Sequence, residues 1–146
     1  MTDRRSYNYS GQFIPPAALK TILKHPKLAS KFGSEADVDA GRLSGMVFVS
    51  ERRDQLETLH IAIRSIENQA NVNIFSFADV FGTFNGVRME DSGCVAGDYL
   101  VYVTTKDDPG FRREPWTAVY KTNLKTGLTD RLTPPGFSSL ILLLLL

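Results

Sequence analysis

The sequence predicts a mainly β protein in which short antiparallel strands follow a short helical N-terminal segment. Three observations predict this fold class. Apolar runs rich in β-branched residues are short, several of them alternate with period two, and glycine- or asparagine-containing turns separate them. Apolar residues make up 42% and charged residues 23% of the 146 positions, which is typical of a globular chain of one domain.

Residues 1–44 form an N-terminal segment with its own pattern. Residues 17–24 predict a short helix that is entered through Pro15-Pro16 and ended by Pro26, because proline is tolerated at the start of a helix but not inside it. Residues 34–41 predict a polar linker. Lysines recur along the segment and could meet a membrane surface or an acidic partner, but a solvated basic face is the favoured interpretation. They are Lys20, Lys24, Lys27 and Lys31.

Strand patterns dominate from Gly45 onward. In one of them Leu59, Ile61 and Ile63 share a side, whereas His60 has the opposite parity and is expected to face water or a loop. Residues 78–84 fit either a helical turn or a loop. The predicted strands are 46–49, 58–64, 72–77, 99–105, 116–122 and 128–133, with turns at 50–54, 85–86 and 123–127 and a polar connector at 106–115.

The strand pattern recurs after about 54 residues. Residues 45–50 and 98–104 each contain a turn residue, an apolar strand with an aromatic side chain inside it, and a final hydroxyl residue. Each is followed by a charged turn and a second strand. Such a recurrence indicates two copies of one structural unit, with an insertion between them.

Residues 97–134 resemble the propeller repeat of TolB-like proteins, a group with uncharacterised plant members, and of the N-terminal propellers of dipeptidyl-peptidase-like enzymes. Residues 45–64 resemble the first half of a preceding repeat. The resemblance implies an incomplete β-propeller of about two antiparallel blades at residues 45–136. The residues that carry it are Leu100-Val101-Tyr102-Val103-Thr104 in the first strand, 118–124 in the second, Lys125-Thr126-Gly127 in the turn and Arg131-Leu132-Thr133 at the close.

The resemblance implies a non-catalytic scaffold that binds a protein or a small ligand. No Gly-x-Ser-x-Gly nucleophile elbow occurs in the sequence, so the hydrolase half that accompanies some propellers is not expected and neither is enzyme activity. Two alternatives stay open. One is a remnant or regulatory propeller of a prolyl-oligopeptidase-like or dipeptidyl-peptidase-like serine hydrolase, and the other is a small membrane-associated β protein.

The polar connector is the predicted binding surface, because connecting loops gather at the rim of a propeller. A solvated charged loop is the alternative interpretation, with its tryptophan anchoring a blade core instead. The candidate binding residues are Asp107, Asp108, Arg112, Arg113, Glu114 and Trp116.

Charge and composition exclude other partners. A net charge of +1 provides no broad positive field, so no nucleic-acid partner is expected. Cys94 is the only cysteine, and His25 and His60 lack neighbours at metal-ligand spacing, so no metal or other cofactor is expected. The polar N-terminus shows no signal-peptide pattern, which favours the cytoplasm.

Residues 137–146 form an apolar tail that ends in Leu140–Leu146. A bilayer-spanning helix needs about 20 apolar residues, so a membrane anchor is not expected and a truncated end is the preferred hypothesis. Two blades alone leave an apolar blade face without a neighbour, and self-association through that face is therefore expected.

Overall fold

Two four-stranded antiparallel sheets make up most of the fold, in agreement with the predicted mainly β class. The computed structural model describes residues 8–28, 31–53, 56–67, 72–81, 90–104 and 118–132. The first sheet has the strand order β1-β2-β3-β4, and the second has the order β5-β6-β7-β8. The strands are β1 Asn8–Ile14, β2 Leu43–Arg53, β3 Leu56–Ser65, β4 Val72–Ser76, β5 Glu90–Ala96, β6 Tyr99–Thr104, β7 Ala118–Asn123 and β8 Thr129–Arg131.

Three short helices accompany the sheets, namely α1 Pro16–Leu23, α2 Glu35–Asp39 and α3 Phe77–Phe81. The predicted first helix is confirmed, with a proline at its first turn. The polar linker predicted for residues 34–41 is wrong, because this segment contains α2. Ser34 and Asp37 form a reciprocal capping box there, which satisfies N–H groups that the short helix leaves without partners.

The first sheet buries one side of its two central strands. Val47 is paired with Ile61 and Val49 with Leu59, so their side chains share a face. All four residues are at most 1% exposed and belong to the hydrophobic core. The predicted common side of Leu59, Ile61 and Ile63 is therefore confirmed.

Two strands lie where the sequence analysis assigned none. β1 pairs with β2, and β5 pairs with β6, so each becomes the first strand of its sheet. Both are rich in polar residues and glycine, and each pairing has an irregular register. β2 also continues through Arg53, where a turn was predicted. Hydrogen bonds from a neighbouring strand outweigh the weak intrinsic preference of these segments.

The second sheet centres on the hairpin of β6 and β7. Tyr102 lies directly opposite Tyr120, and their ring centroids are 6.4 Å apart. The Tyr102 hydroxyl hydrogen-bonds with Thr122 Oγ1 at 3.0 Å, and Thr122 Oγ1 bonds in turn with Thr129 Oγ1 at 2.8 Å. The chain of hydroxyls satisfies polar atoms that the packing removes from water.

The two sheets pack face to face through close contact at β5. A β-carbon on Gly93 would lie 2.9 Å from Leu59 Cδ2 and 3.3 Å from Val47 Cγ2, so glycine permits this approach. Tyr102 and Tyr120 of the second sheet belong to the same core as Leu59 and Val47. Burying each large apolar side chain contributes about 1.5–3 kcal/mol, which makes this layer the main stabilising feature of the fold.

The two recurring segments of the sequence lie in β2 and β6. β2 and β6 are each second in their sheet, and Phe48 and Tyr102 occupy matching positions opposite His60 and Tyr120. The first sheet contributes Val47 to the shared core, whereas Phe48 has the opposite parity. The second sheet contributes Tyr102, the equivalent of Phe48. The sheets therefore stack front to back.

A candidate ligand-binding cleft

A cleft lies between the C-terminal end of α1 and the turn that joins β7 to β8. Its volume is about 280 Å³. Two segments far apart in the sequence form its walls, so no local motif marks it. The lining residues are Thr21, Lys24, His25, Pro26, Leu124 and Lys125.

The end of α1 forms one wall of the cleft. The N–H of Lys24 donates to Lys20 O at 3.3 Å, and the N–H of His25 donates to Ile22 O at 3.0 Å. Pro26 cannot extend the helix, so the chain turns away at this point. Leu23 is 1% exposed and anchors the last turn in the core. The wall is consequently held both by backbone bonds and by packing.

The β7–β8 turn forms the other wall. Leu124 is 2% exposed, and its N–H donates to Asp98 O at 2.8 Å. The Asn123 side-chain oxygen accepts from the N–H of Lys125 at 2.8 Å and of Thr126 at 3.2 Å, as asparagine does in tight turns. Gly127 has a φ of 75°, a conformation that favours glycine. The sequence-predicted turn at these residues is confirmed.

His25 is the residue of the cleft whose side chain can change its charge near neutral pH. Its Nδ1 accepts a hydrogen bond from the N–H of Lys27 at 3.2 Å, so the neutral ring carries its proton on Nε2. Its ring meets the edge of Phe81 with centroids 4.8 Å apart. Partial burial lowers the pKa of His25, and the nearby charge of Lys27 lowers it further. At neutral pH the imidazole is therefore uncharged and can donate one hydrogen bond.

The lysines of the cleft are matched by carboxylates. Lys24 forms an ion pair of 2.6 Å with Glu35, and Lys125 forms one of 3.4 Å with Asp98. Lys20 is paired with Asp39 in the same way. These exposed pairs are individually weak, but they cancel most of the local positive charge. The cleft therefore suits a small polar group better than a polyanion, and the solvated-face interpretation of the four lysines stays a prediction.

Among the described residues, the cleft contains no activated nucleophile. His25 makes no hydrogen bond with a serine, threonine or cysteine side chain there, and Thr21 Oγ1 donates instead to Ala17 O at 3.2 Å. An activated nucleophile needs a base within hydrogen-bond reach. The arrangement can orient a bound group through Nε2–H and the two ammonium groups, which is binding chemistry.

No family model, curated protein or solved structure matches this chain. The resemblance of residues 97–134 to TolB-like repeats therefore stays an inference from the sequence.

The sequence-predicted binding residues lie outside the part of the chain that the structure describes. All six lie in the segment 105–117, outside the described residues, and their role stays a prediction. They are Asp107, Asp108, Arg112, Arg113, Glu114 and Trp116. The structure does show that Thr104 and Ala118 are direct partners, so the segment joins two paired strands of one hairpin.

The second histidine is buried, which corrects the expectation that it faces water or a loop. His60 is 3% exposed, its Nδ1 lies 3.0 Å from Thr58 O, and its ring lies 5.7 Å from that of Phe48. Strand parity correctly placed it on the face opposite Leu59. Parity does not tell whether that second face is covered, and here it is.

The described residues provide neither a cluster for a metal ion nor a helix that could span a membrane. Their histidine, cysteine, aspartate and glutamate side chains form no group of three or more that could hold a metal ion. None of their helices has the length and apolar character needed to cross a membrane.

Proposed function

We propose that this chain is a non-catalytic binding scaffold built from two stacked blades of a TolB-like β-propeller. The observation that supports it is the front-to-back stacking of two equivalent four-stranded sheets, in which Tyr102 takes the position that Phe48 has in the first sheet. Propellers are made of such sheets repeated around an axis, and each sheet packs only on its neighbours.

Two surfaces of the scaffold are proposed to bind ligands. The first is the connector at residues 106–116, which joins the paired strands β6 and β7. The second is the cleft at His25, whose neutral imidazole and paired lysines suit a peptide or a small polar molecule. Both surfaces belong to segments that connect strands or helices, and such connecting segments often carry binding sites.

A peptide-retention assay tests the proposal. The immobilised full chain is exposed to a pooled peptide library, and mass spectrometry identifies the retained peptides and their masses. We expect retention of intact peptides. One variant replaces residues 106–116 by a short Gly-Ser turn, and a second combines His25→Ala with Lys125→Ala. Each variant should lose a subset of the retained peptides. Cleavage in proportion to the amount of chain would overturn the non-catalytic role, and retention of no peptide would overturn the scaffold.

Self-association forms a further part of the proposal. Val101 and Val103 of the second sheet correspond to Val47 and Val49 of the first sheet, which lie on the face that packs against the second sheet. A further sheet would therefore stack on the face that bears Val101 and Val103. Val103 is 3% exposed and already buried within the chain, which leaves the partly exposed Val101 as the open portion of this face. Sedimentation velocity should show association that Val101→Asp reduces, whereas Leu128→Asp in the β7–β8 turn should not. Equal effects would contradict a stacking role for this face.

A further inference from the structure

A second cleft lies at the end of the first sheet where β2 begins and β3 ends. Its volume is about 170 Å³, and it shares no lining residue with the cleft at His25. The residues that line it are Gly41, Arg42, Ser44, Arg64 and Ile66. It brings two guanidinium groups, a hydroxyl and an exposed aliphatic side chain together.

The backbone holds these side chains on one edge of the sheet. Ser44 and Arg64 are direct partners across β2 and β3, so their side chains project from the same face. The N–H of Ile66 donates to Arg42 O at 2.9 Å, which ties the residue after β3 to the residue before β2. A β-carbon on Gly41 would meet nothing within 4 Å, so the approach is open.

The two arginines differ in their electrostatic state. Arg42 donates from Nε at 3.0 Å and Nη2 at 2.9 Å to one carboxylate oxygen of Asp37. Hydrogen bonds from the Ser34 backbone N–H and hydroxyl, followed by the bond from Arg42, lower the pKa of Asp37, so this carboxylate is ionised and balances Arg42. Arg64 is exposed and has no ion pair or hydrogen bond from its side chain to the described residues. Among the described residues that line the cleft, Arg64 is therefore the arginine whose charge no bonded carboxylate balances.

An apolar surface adjoins this charge. Ile66 is 58% exposed, so its aliphatic surface is open to a ligand. A planar guanidinium matches a carboxylate with two parallel hydrogen bonds, and a nearby hydroxyl can donate a third. A ligand that uses all of these groups carries a carboxylate next to an aliphatic side chain. The C-terminal residue of a peptide has this chemistry.

We propose that this cleft binds the C-terminus of a peptide that ends in an aliphatic residue. Arg64 and Ser44 hold the terminal carboxylate, the last side chain packs on Ile66, and Asp37 keeps Arg42 oriented at the margin. The site lies within one sheet and its flanking turns, so it does not rest on blade stacking or on the His25 cleft.

Fluorescence anisotropy with the full chain tests the proposal. The probe is a labelled peptide that ends in leucine with a free carboxylate, compared with the same peptide as its C-terminal amide. We expect the amide to bind at least about tenfold more weakly, because hydrogen bonds to a charged group are lost. Arg64→Gln should weaken binding of the free-acid peptide by a similar factor. Ile66→Ser should reduce the preference for leucine over glycine as the last residue of the peptide.

Matched variants keep the test specific. Arg131→Gln removes the same charge from the second sheet and should leave peptide affinity unchanged. Thermal unfolding of each variant shows that it is folded at the assay temperature. Equal binding of acid and amide, or equal weakening by Arg131→Gln and Arg64→Gln, would overturn the proposal. Inorganic phosphate that competes as well as the free peptide would also overturn it, because the cleft would then be a general anion site.

Discussion

The two sheets carry a cross-strand pair at equivalent positions, but the polar groups around the two pairs differ. In the second sheet, Tyr102 and Tyr120 lie in the shared core, and the Tyr102 hydroxyl continues into a bonded chain of threonines. In the first sheet the corresponding pair is Phe48 and His60, and Ser76 lies opposite His60 on the next strand. Within the described part of the chain, the buried Ser76 Oγ has no hydrogen-bond partner.

The difference shows that matching positions in two four-stranded sheets do not have to share the same environment. The face that bears Tyr102 packs against the first sheet, and its polar atoms are satisfied within its own sheet. The face that bears Phe48 points away from the second sheet and tolerates one unsatisfied hydroxyl. The hydroxyl groups of the second sheet find partners in their own sheet, whereas Ser76 of the first sheet has no such partner among the described residues.

The largest expected effect comes from removing the central aromatic ring of the shared core. Tyr102→Ala should lower the free energy of unfolding by about 3–5 kcal/mol, because it leaves a cavity next to Phe77 and Tyr120. Urea denaturation followed by circular dichroism measures the loss. Tyr99→Ala, in the same strand but partly exposed, should cost clearly less. Equal losses would show that the core is not centred on Tyr102.

The next effect tests the close approach of the sheets. Gly93→Val should destabilise the fold by about 1–3 kcal/mol, since the added side chain has to displace Leu59 and Val47. Ala96→Val places a similar side chain at an exposed position of the same strand and should change stability by less than about 0.5 kcal/mol. Urea unfolding midpoints of the two variants separate the predictions. A Gly93→Val variant with an unchanged free energy of unfolding would contradict the observed stacking.

A pair of hydroxyl deletions sharpens the contrast between the two faces. Thr122→Val removes a hydroxyl bonded to both Tyr102 and Thr129 and should cost about 1–3 kcal/mol. Ser76→Ala removes a buried hydroxyl without a partner and should be neutral or slightly stabilising. Thermal unfolding with both variants side by side provides the comparison. A costly Ser76→Ala would show that its hydroxyl is satisfied after all.

The smallest expected effect concerns pH. Burial and then the charge of Lys27 lower the pKa of His25 in the folded state, so the unfolded state binds a proton more readily. The fold should lose stability as the pH falls through the usual histidine value near 6.5 towards the lowered folded value, and should be unaffected by this group above it. Unfolding of wild type and His25→Gln from about pH 7.5 to about pH 5.5 isolates the contribution. Identical slopes would contradict it.

The sequence was sufficient to predict six of the eight strands and the first helix. Alternating apolar residues such as Leu59, Ile61 and Ile63 report one buried face directly. It was insufficient for β1 and β5, whose composition is polar and whose pairing depends on neighbouring strands. It also missed α2, where Ser34 and Asp37 nucleate a helix of five residues that lacks the usual length signal.

The candidate clefts could not have been predicted in the same way. His25 and Leu124 meet only because α1 packs near the β7–β8 turn, and each looks locally like a helix end or a turn residue. Arg64 reads as an ordinary polar residue at the end of a strand. That it has no ion pair with the described residues follows only from the tertiary structure.

Local chemistry in the sequence determined where chain segments are extended, where they turn and which side chains avoid water. The effects of Pro26, Gly127 and the apolar alternation in β3 are limited to neighbouring residues. They can therefore be predicted from the sequence before the fold is known. The tertiary structure alone decided which faces meet, that the sheets stack front to back through Gly93, and that His60 is buried. These properties depend on distant groups, because burial and charge balance are set by what surrounds a residue in space.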